Sequence, residues 1–422
     1  MMTKFGSVDL GRFGPGLLLA ATAIGVSHIV QSVQAGGTYG PIFIIAILFS
    51  HLIKYPFFLT APKYSSHTKK SLLTGYFEIH PFFLILFLFL TFLSMFSLQS
   101  VVTLITAAVF ENIFHFQIPI GQLSSIILLL CALILFFGRY KFLDKIIKPI
   151  ILILFLATVI ALFVAVFGET DPNKIESNTK FSLTSKVDFL FLIAFLGWMP
   201  CPLDCVVWNS LWTKRKQEEP NNNYGFKEAK LDFQTGYVIA CILAILFLIL
   251  GYFIFYQNNI TLDSKAVPFI GKFLSIYTIQ FGQIAFYIIA VAALFTMFST
   301  TITCLDAYPR IISKSLNVLS RHYRKKSINE HVFYNYFLLF TVVGTILVLL
   351  YLLTNMHEII MFATLTSFVS TAILVILHQI INLRLSKKYD DCKMSRLSVS
   401  YANICIIIIV SLSIVMIYNL FN

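Results

Sequence analysis

The chain is a succession of long apolar stretches joined by short polar loops, and this alternation limits its folds more than any other feature. The stretches fall at roughly 13–35, 41–60, 82–110, 118–138, 146–167, 187–212, 233–256, 281–306, 333–354, 358–383 and 398–420. A helix rises about 1.5 Å per residue, so each stretch is long enough to cross a hydrocarbon layer of about 30 Å with some tilt. Composition supports lipid as the solvent. With 58% hydrophobic and 12% charged residues in a chain of 422, a water-soluble exterior could not be covered, because such a surface is largely polar. The 43 Phe residues suit packing against acyl chains and interfaces. The expected fold is therefore an all-α polytopic membrane protein with about 11 transmembrane helices, residues 1–422 forming a single transmembrane domain. The polar, glycine-rich opening through Gly16 does not read as a cleaved signal peptide.

Placing successive loops on alternate sides puts the N-terminus and the loops near 61–81, 139–148, 213–232, 307–332 and 384–397 together. That side holds 26 of the 31 Lys and Arg residues, counting Lys54 inside the second span; the other side holds Lys174, Lys180, Lys186, Lys265 and Lys272. By the positive-inside rule the basic side is cytoplasmic. The N-terminus is then cytoplasmic and the C-terminus outside, in an integral protein expected in the cell membrane. The net charge of +12 is topological and does not indicate nucleic acid. The run Gln217–Lys230 reads as a solvated loop, and Arg321–Lys326 as an anchoring one. Six of the seven cysteines sit in apolar stretches and Cys392 in a charged loop, a spacing that fits neither a disulfide framework nor a zinc finger. Neither an HExxH pair nor a GxSxG turn occurs, so an enzyme is not expected. No cofactor and no obligate protein partner are expected either.

Two spans are not ordinary helices. The first runs from Gly14-Pro15-Gly16 through Gly25-Val26-Ser27-His28 to Gln31, Gln34, Ala35, Gly36 and Gly37. Polar and ionisable residues at mid-depth are costly unless they face a protein-filled or watery cavity. Gly25 and Ser27 also permit a break that turns backbone groups toward a solute. The sixth span carries Gly197-Trp198-Met199-Pro200-Cys201-Pro202-Leu203-Asp204-Cys205. Two prolines, a glycine and an aspartate make a continuous helix there improbable. One interrupted span early in each half of a chain points to an inverted-repeat transporter with discontinuous helices. Spans 1–5 (about 13–167) and 6–10 (about 187–383) would be the repeats, with an extra helix at about 398–420.

At these residues the chain resembles the NRAMP family of proton-coupled metal transporters, which have the LeuT-like fold. Gly14-Pro15-Gly16, the nine-residue step to Gly25, and Gln34-Ala35-Gly36 match that family's first helix without gaps. The segment Thr300–Arg310 looks like a divergent NRAMP-like branch. The resemblance implies that fold and a small inorganic ion as substrate, by default a divalent metal. The chain also departs from the family pattern. Where the family has Asp-Pro-Gly-Asn, this chain has Gly25-Val26-Ser27-His28, so the metal-binding carboxylate falls on Gly25 and the asparagine on His28. The family's Met-Pro-His-Asn lies over Met199-Pro200-Cys201-Pro202 or over Cys201-Pro202-Leu203-Asp204, the second keeping Gly197 four residues ahead. Its histidine is absent in both registers.

The expected substrate site comprises Gly25, Val26, Ser27, His28, Gly197, Trp198, Met199, Cys201 and Asp204. For a metal cation, His28, Cys201 and Asp204 would be the ligands, and imidazole with thiolate would favour a soft or borderline ion over magnesium. For a small anion such as bicarbonate, loss of the aspartate, half-helix amides and the donors of Ser27 and His28 would supply the site. Lys54 is read as snorkelling toward the cytoplasmic face, with attraction for an anion as the alternative. His28 and Asp204 are the residues that could carry coupled protons. A channel or membrane receptor ranks last, since no repeated filter or ring of like charges occurs. Elsewhere, Cys201 and Cys205 could share a face for a metal or serve tight packing. His51 and His378 read as polar lining, and Asp306 and Arg310 as an intrahelical ion pair. Thr364, Thr366 and Ser367 read as pathway lining or as bonded to their own helix.

Overall fold

In the computed structural model, residues 14–137, 155–163, 180–219, 224–281, 283–352 and 356–421 are described. Among the described residues there are helices and connections and no strand. The first half holds α1 (Pro15–Ala23), a π-helical stretch Ser27–Ser32 continuing into α2 (Val33–Tyr39), α3 (Phe43–Phe58), α4 (Thr60–Thr68), α5 (Leu72–Ile79), α6 (Pro81–Phe114), α7 (Ile120–Phe136) and α8 (155–163). The second half holds α9 (Lys186–Trp198), α10 (Cys205–Gln217), α11 (Phe226–Gly251), α12 (Ala266–Phe281), α13 (Gln283–Tyr323), α14 (Glu330–Leu347), α15 (Met356–Lys388) and α16 (Arg396–Phe421).

Seven helical runs among the described residues, rather than eleven, are long and apolar enough to cross a membrane. The difference has identifiable sources. The expected sixth span is divided between α9 and α10, neither long enough alone, and the first is interrupted after α1. The second half of that first span joins α3 and α4 in one run, Ser27–Thr68. The expected fourth span appears as the 17-residue α7, and the fifth lies mostly outside the described residues. Outward-facing side chains such as Ile45, Leu52, Phe89, Leu133, Ile407 and Ile414 are exposed. An apolar exterior of this kind faces acyl chains rather than water.

The broken first span is held against α11 by glycines. A Cβ on Gly16 would lie 2.1 Å from the Asp232 carbonyl oxygen, and one on Gly236 would lie 2.1 Å from that of Gly16. Gly36 and Gly251 make the same close approach one helix further on, against Leu248 and Val33. Small residues let backbones approach closely where lipid supplies no hydrophobic drive between helices. The approach also brings the Asp232 carboxylate to the start of α1. Its Oδ2 accepts from the Gly14 and Gly16 amides at 3.2 and 2.8 Å and from the Tyr224 hydroxyl at 2.7 Å. An acidic side chain from another helix thus caps α1, where free amides and the helix dipole favour negative charge.

Gly236→Ala should force α1 and α11 apart and destabilise the protein by about 1–3 kcal/mol. Val238→Ala, on the exposed face of the same helix, should stay within about 0.5 kcal/mol of the parent. Thermal unfolding midpoints of the purified proteins in one detergent check both; equal midpoints for the two variants would contradict the close-packing account.

Candidate functional site

The first break follows from a turn that α1 cannot continue. Ile24 has ψ 58°, and the Gly25 amide donates back to the Ala23 carbonyl at 2.8 Å. The Ser27 hydroxyl reaches the same carbonyl at 2.7 Å, so the freed backbone oxygen is satisfied locally. The helix then resumes with π character, a feature that often marks functional positions. Gly25 faces α13: a Cβ there would sit 3.0 Å from Thr300 Cγ2 and 3.2 Å from its hydroxyl. A side chain at this position would thus crowd Thr300, which would have to give by a few tenths of an ångström.

His28 is fully buried, and both ring nitrogens have partners. Nε2 lies 2.9 Å from the Ala240 carbonyl, and Nδ1 lies 2.9 Å from the Ser27 hydroxyl. A carbonyl only accepts, so Nε2 carries a hydrogen, and Nδ1 is the nitrogen left on the Ser27 side. His28 can therefore offer a solute only Nδ1, alongside Ser27.

The second break spans the residues between α9 and α10. Met199 is extended (φ −93°, ψ 122°), the Met199–Pro200 peptide is cis, and Cys205 starts α10 after a turn in which its amide donates to Pro202. The carbonyls exposed at the end of α9 converge on one ammonium. Lys54 Nζ donates to Leu196, Gly197 and Met199 at 2.5, 3.0 and 2.9 Å, and the Ser50 hydroxyl adds a bond to Met199 at 2.6 Å. Lys54 is 0% exposed. The expectation that it snorkels is thus corrected: the carbonyls freed by the break give the buried ammonium three acceptors, and its charge complements the helix C-terminus.

Between the breaks lies a cavity of about 30 Å³ lined by Thr22, Val26 and Ser27 of the first span, Trp198, Cys201, Pro202, Cys205 and Trp208 of the sixth, Leu98 of α6 and Cys304 of α13. It can hold a water or an ion stripped of its hydration shell. Of the expected site residues, Val26, Ser27, Trp198 and Cys201 line it. Gly25 is turned to Thr300, His28 to Ala240, and Gly197 packs against the Thr364 carbonyl of α15. Met199 is buried, with its carbonyl given to Lys54. Asp204 is half-buried at the first position before α10, makes no side-chain capping bond there, and is close enough to Lys54 to interact with its charge.

Sequence reasoning did not select Thr22, Leu98, Trp208, Cys304 or Thr300 for the site. Cys304 and Thr300 could have been found, because they belong to the Thr300–Arg310 segment already singled out. The Trp208 indole N–H is buried with no partner among the described residues. Other expectations concern packing. Asp306 and Arg310 pair at 2.5 Å, and Tyr334 donates to Asp306 at 2.7 Å. Thr364, Thr366 and Ser367 each bond to the carbonyl four residues back, at 2.7, 2.8 and 2.8 Å. His51 and His378 are buried, on the Ile47 carbonyl (2.8 Å) and the Tyr76 hydroxyl (2.6 Å).

Lys54→Met keeps the length of the side chain but leaves the α9 carbonyls without their shared donor. It should cost about 2–3 kcal/mol or more, since a buried polar group left unpaired carries its full desolvation penalty. A thermal midpoint in detergent equal to that of the parent would show that the ammonium does not hold this end of α9.

A family model described as natural resistance-associated macrophage protein-like (Nramp) matches residues 16–419. An uncharacterized protein of Pasteurella multocida (strain Pm70) is 30% identical over 369 residues, covering 86% of this chain and 83% of the relative. Among solved structures, the manganese transporter of Eremococcus coleocola superposes with a TM-score of 0.68 at 14% identity, covering 98% of this chain and 87% of its own. MhsT in complex with L-phenylalanine gives 0.62 at 14% identity, covering 99% and 100%. A Na⁺-coupled sialic acid symporter gives 0.60 at 16%, covering 99% and 90%. These likenesses establish the LeuT-like fold, and the family match over nearly the whole chain assigns the protein: it is a membrane protein of the Nramp family of transporters.

Proposed function

We propose that the protein is a secondary active transporter that moves a soft or borderline divalent metal ion by alternating access around the cavity between the two breaks. The observation that carries this reading is that three cysteines, Cys201, Cys205 and Cys304, line one cavity with Ser27, although their three sulfurs are not all within ligand distance of one another in this conformation. Sulfur ligands select ions such as zinc over magnesium, which prefers oxygen. Asp204 supplies a carboxylate next to these thiols, and His28 Nδ1 an imidazole nitrogen. His28, Cys201 and Asp204 do not form a ligand cluster in this conformation; among the described residues the one group of three such ligands lies elsewhere. Rocking of the half-helices is what would draw them together, with spans 1–5 and 6–10 acting as the two repeats. His28 and Asp204 are the proposed proton carriers. The basic loops support a cytoplasmic N-terminus and an outside C-terminus, with the protein in the cell membrane.

A second reading, transport of a small anion such as bicarbonate, is favoured by Gly25 in place of a carboxylate and by the buried Lys54 charge. Three carbonyls already surround that ammonium, which weakens its pull on a further anion.

Uptake into proteoliposomes separates the two. With zinc, manganese, magnesium and bicarbonate offered in turn and internal pH recorded, saturable zinc or manganese uptake without magnesium uptake is expected. Cys201→Ser should lower kcat/KM for zinc about tenfold, or ~1.4 kcal/mol, and Asp204→Asn should reduce uptake further. Liposomes that respond only to bicarbonate would overturn the metal reading, and unsaturable flux would overturn alternating access. Restoring the family carboxylate tests the same site from the other side. Gly25→Asp needs room that Thr300 occupies, so Gly25→Asp with Thr300→Ala should raise manganese uptake relative to zinc, whereas Gly25→Asp alone should impair both.

A further inference from the structure

A second set of metal-ligating side chains lies away from the central cavity, at the end of α4 and the turn between α15 and α16. His67, Asp391 and Cys392 each place a ligand atom within 4.8 Å of the other two. His67 Nε2 is 2.9 Å from Asp391 Oδ2, and Cys392 Sγ is 3.5 Å from Nε2 and 3.5 Å from Nδ1. We propose that these three residues form a binding site for a borderline divalent cation such as zinc, separate from the ion that the protein transports.

Two features carry the assignment. The first is ligand spacing. With Zn–N near 2.0–2.1 Å and Zn–S near 2.3 Å, a tetrahedral site separates nitrogen from sulfur by about 3.6 Å and nitrogen from a carboxylate oxygen by about 3.3 Å. The Nε2–Sγ separation has the first value, but Sγ lies as close to Nδ1, so the thiol has to turn toward the Nε2 lone pair and Nε2–Oδ2 has to open by a few tenths of an ångström for an ion to bind. The second is the hydrogen-bond accounting of the His67 ring. Nδ1 lies 2.8 Å from the Lys63 carbonyl, which can only accept, so Nδ1 carries a hydrogen. Nε2 then faces a carboxylate. Without a metal, that contact needs a second ring proton. With one, the neutral ring presents its lone pair to the ion and the carboxylate binds beside it, while the backbone carbonyl on the other nitrogen fixes the tautomer as outer partners of metal-bound histidines do. Phe226 and Tyr389 hold the ring on both sides, with centroids at 4.9 and 4.8 Å.

Charge and access also suit a divalent ion. One thiolate and one carboxylate balance two positive charges. Asp391 is exposed while Cys392 is buried, so the ion has an entry path and the thiol proton leaves to solvent on binding. Three protein ligands leave a fourth position for water. Occupation would tie the α15–α16 connection to α4. From α4 it would reach α10, because Ser65 donates to the Ser210 carbonyl at 3.0 Å and Gln217 to that of Ser66 at 3.3 Å. α10 is a half-helix of the central break, which makes the site a means for metal to act on the transporter from its surface.

The test is a cobalt(II) titration of the full-length, chelator-stripped protein in detergent, read by the thiolate-to-cobalt charge-transfer absorption. Cys201, Cys205 and Cys304 are replaced by Ser, so that the central cavity contributes no thiolate. One equivalent of cobalt should produce the band and zinc should displace it. Adding Cys392→Ser should abolish the band, and adding His67→Ala should weaken binding at least tenfold, with each variant still eluting as the parent does on size exclusion. If the triple-Ser protein does not fold, the difference between the parent and Cys392→Ser gives the same readout. Absence of a band that depends on Cys392 would overturn the site, whatever ion the transport assay finds. Loss of zinc uptake in the cavity variants, with the cobalt band intact, would separate the two sites.

Discussion

The break in the sixth span depends on one buried ammonium. Interrupting a helix at mid-depth leaves its last carbonyls without amide donors, in a place where lipid offers none and each orphan group is costly. Lys54 answers three of these carbonyls at once, from a neighbouring helix, and Ser50 reinforces one of them. In return the carbonyls provide the polar surroundings without which a lysine could not be buried. Neither partner is stable in this position alone, so the open end of α9 and the charge on α3 form a single unit.

The start of α1 uses the opposite charge for the same purpose. Asp232 accepts from the amides of Gly14 and Gly16, at the positive end of the helix dipole. Gly16 and Gly236 let α1 and α11 come close enough for the carboxylate to reach. A carboxylate thus anchors the entry to one broken span, and an ammonium closes the first half of the other. The cavity lies between two half-helices whose ends are fixed by tertiary charges, and its own lining consists of apolar side chains, two hydroxyls and cysteines rather than ions needed for structural support.

Much of this arrangement was legible in the sequence. The apolar runs indicate a membrane fold, and Gly25-Val26-Ser27-His28 with Met199-Pro200-Cys201-Pro202 locate both breaks, because glycine, proline and mid-depth polar residues have few other uses there. What could not be read was partnership across the chain. Lys54 looks like a snorkelling lysine until α9 is seen to end beside it, and Asp232 looks like a loop acid until α1 is seen to begin there. Thr300 fills the space beside Gly25 from 275 positions away in sequence, a distance that local pattern does not span. The number of spans was blurred for a related reason: a broken helix has the composition of one crossing and the lengths of two short pieces.

Gly25 then takes on a different meaning. In sequence it stands where the resemblance to the family would put a carboxylate ligand. In the fold it is a tight position, because a Cβ there would press on the Thr300 side chain, which would have to give by a few tenths of an ångström. Cys201 and Cys205 of the sixth span and Cys304 of α13 line the cavity. On the proposed reading, a cavity with cysteines and without a carboxylate at Gly25 would favour softer ions while the scaffold stays the same. That separation is possible because the charges needed for the broken helices, Lys54 and Asp232, are supplied by the flanking helices α3 and α11 rather than by the residues that would touch the solute.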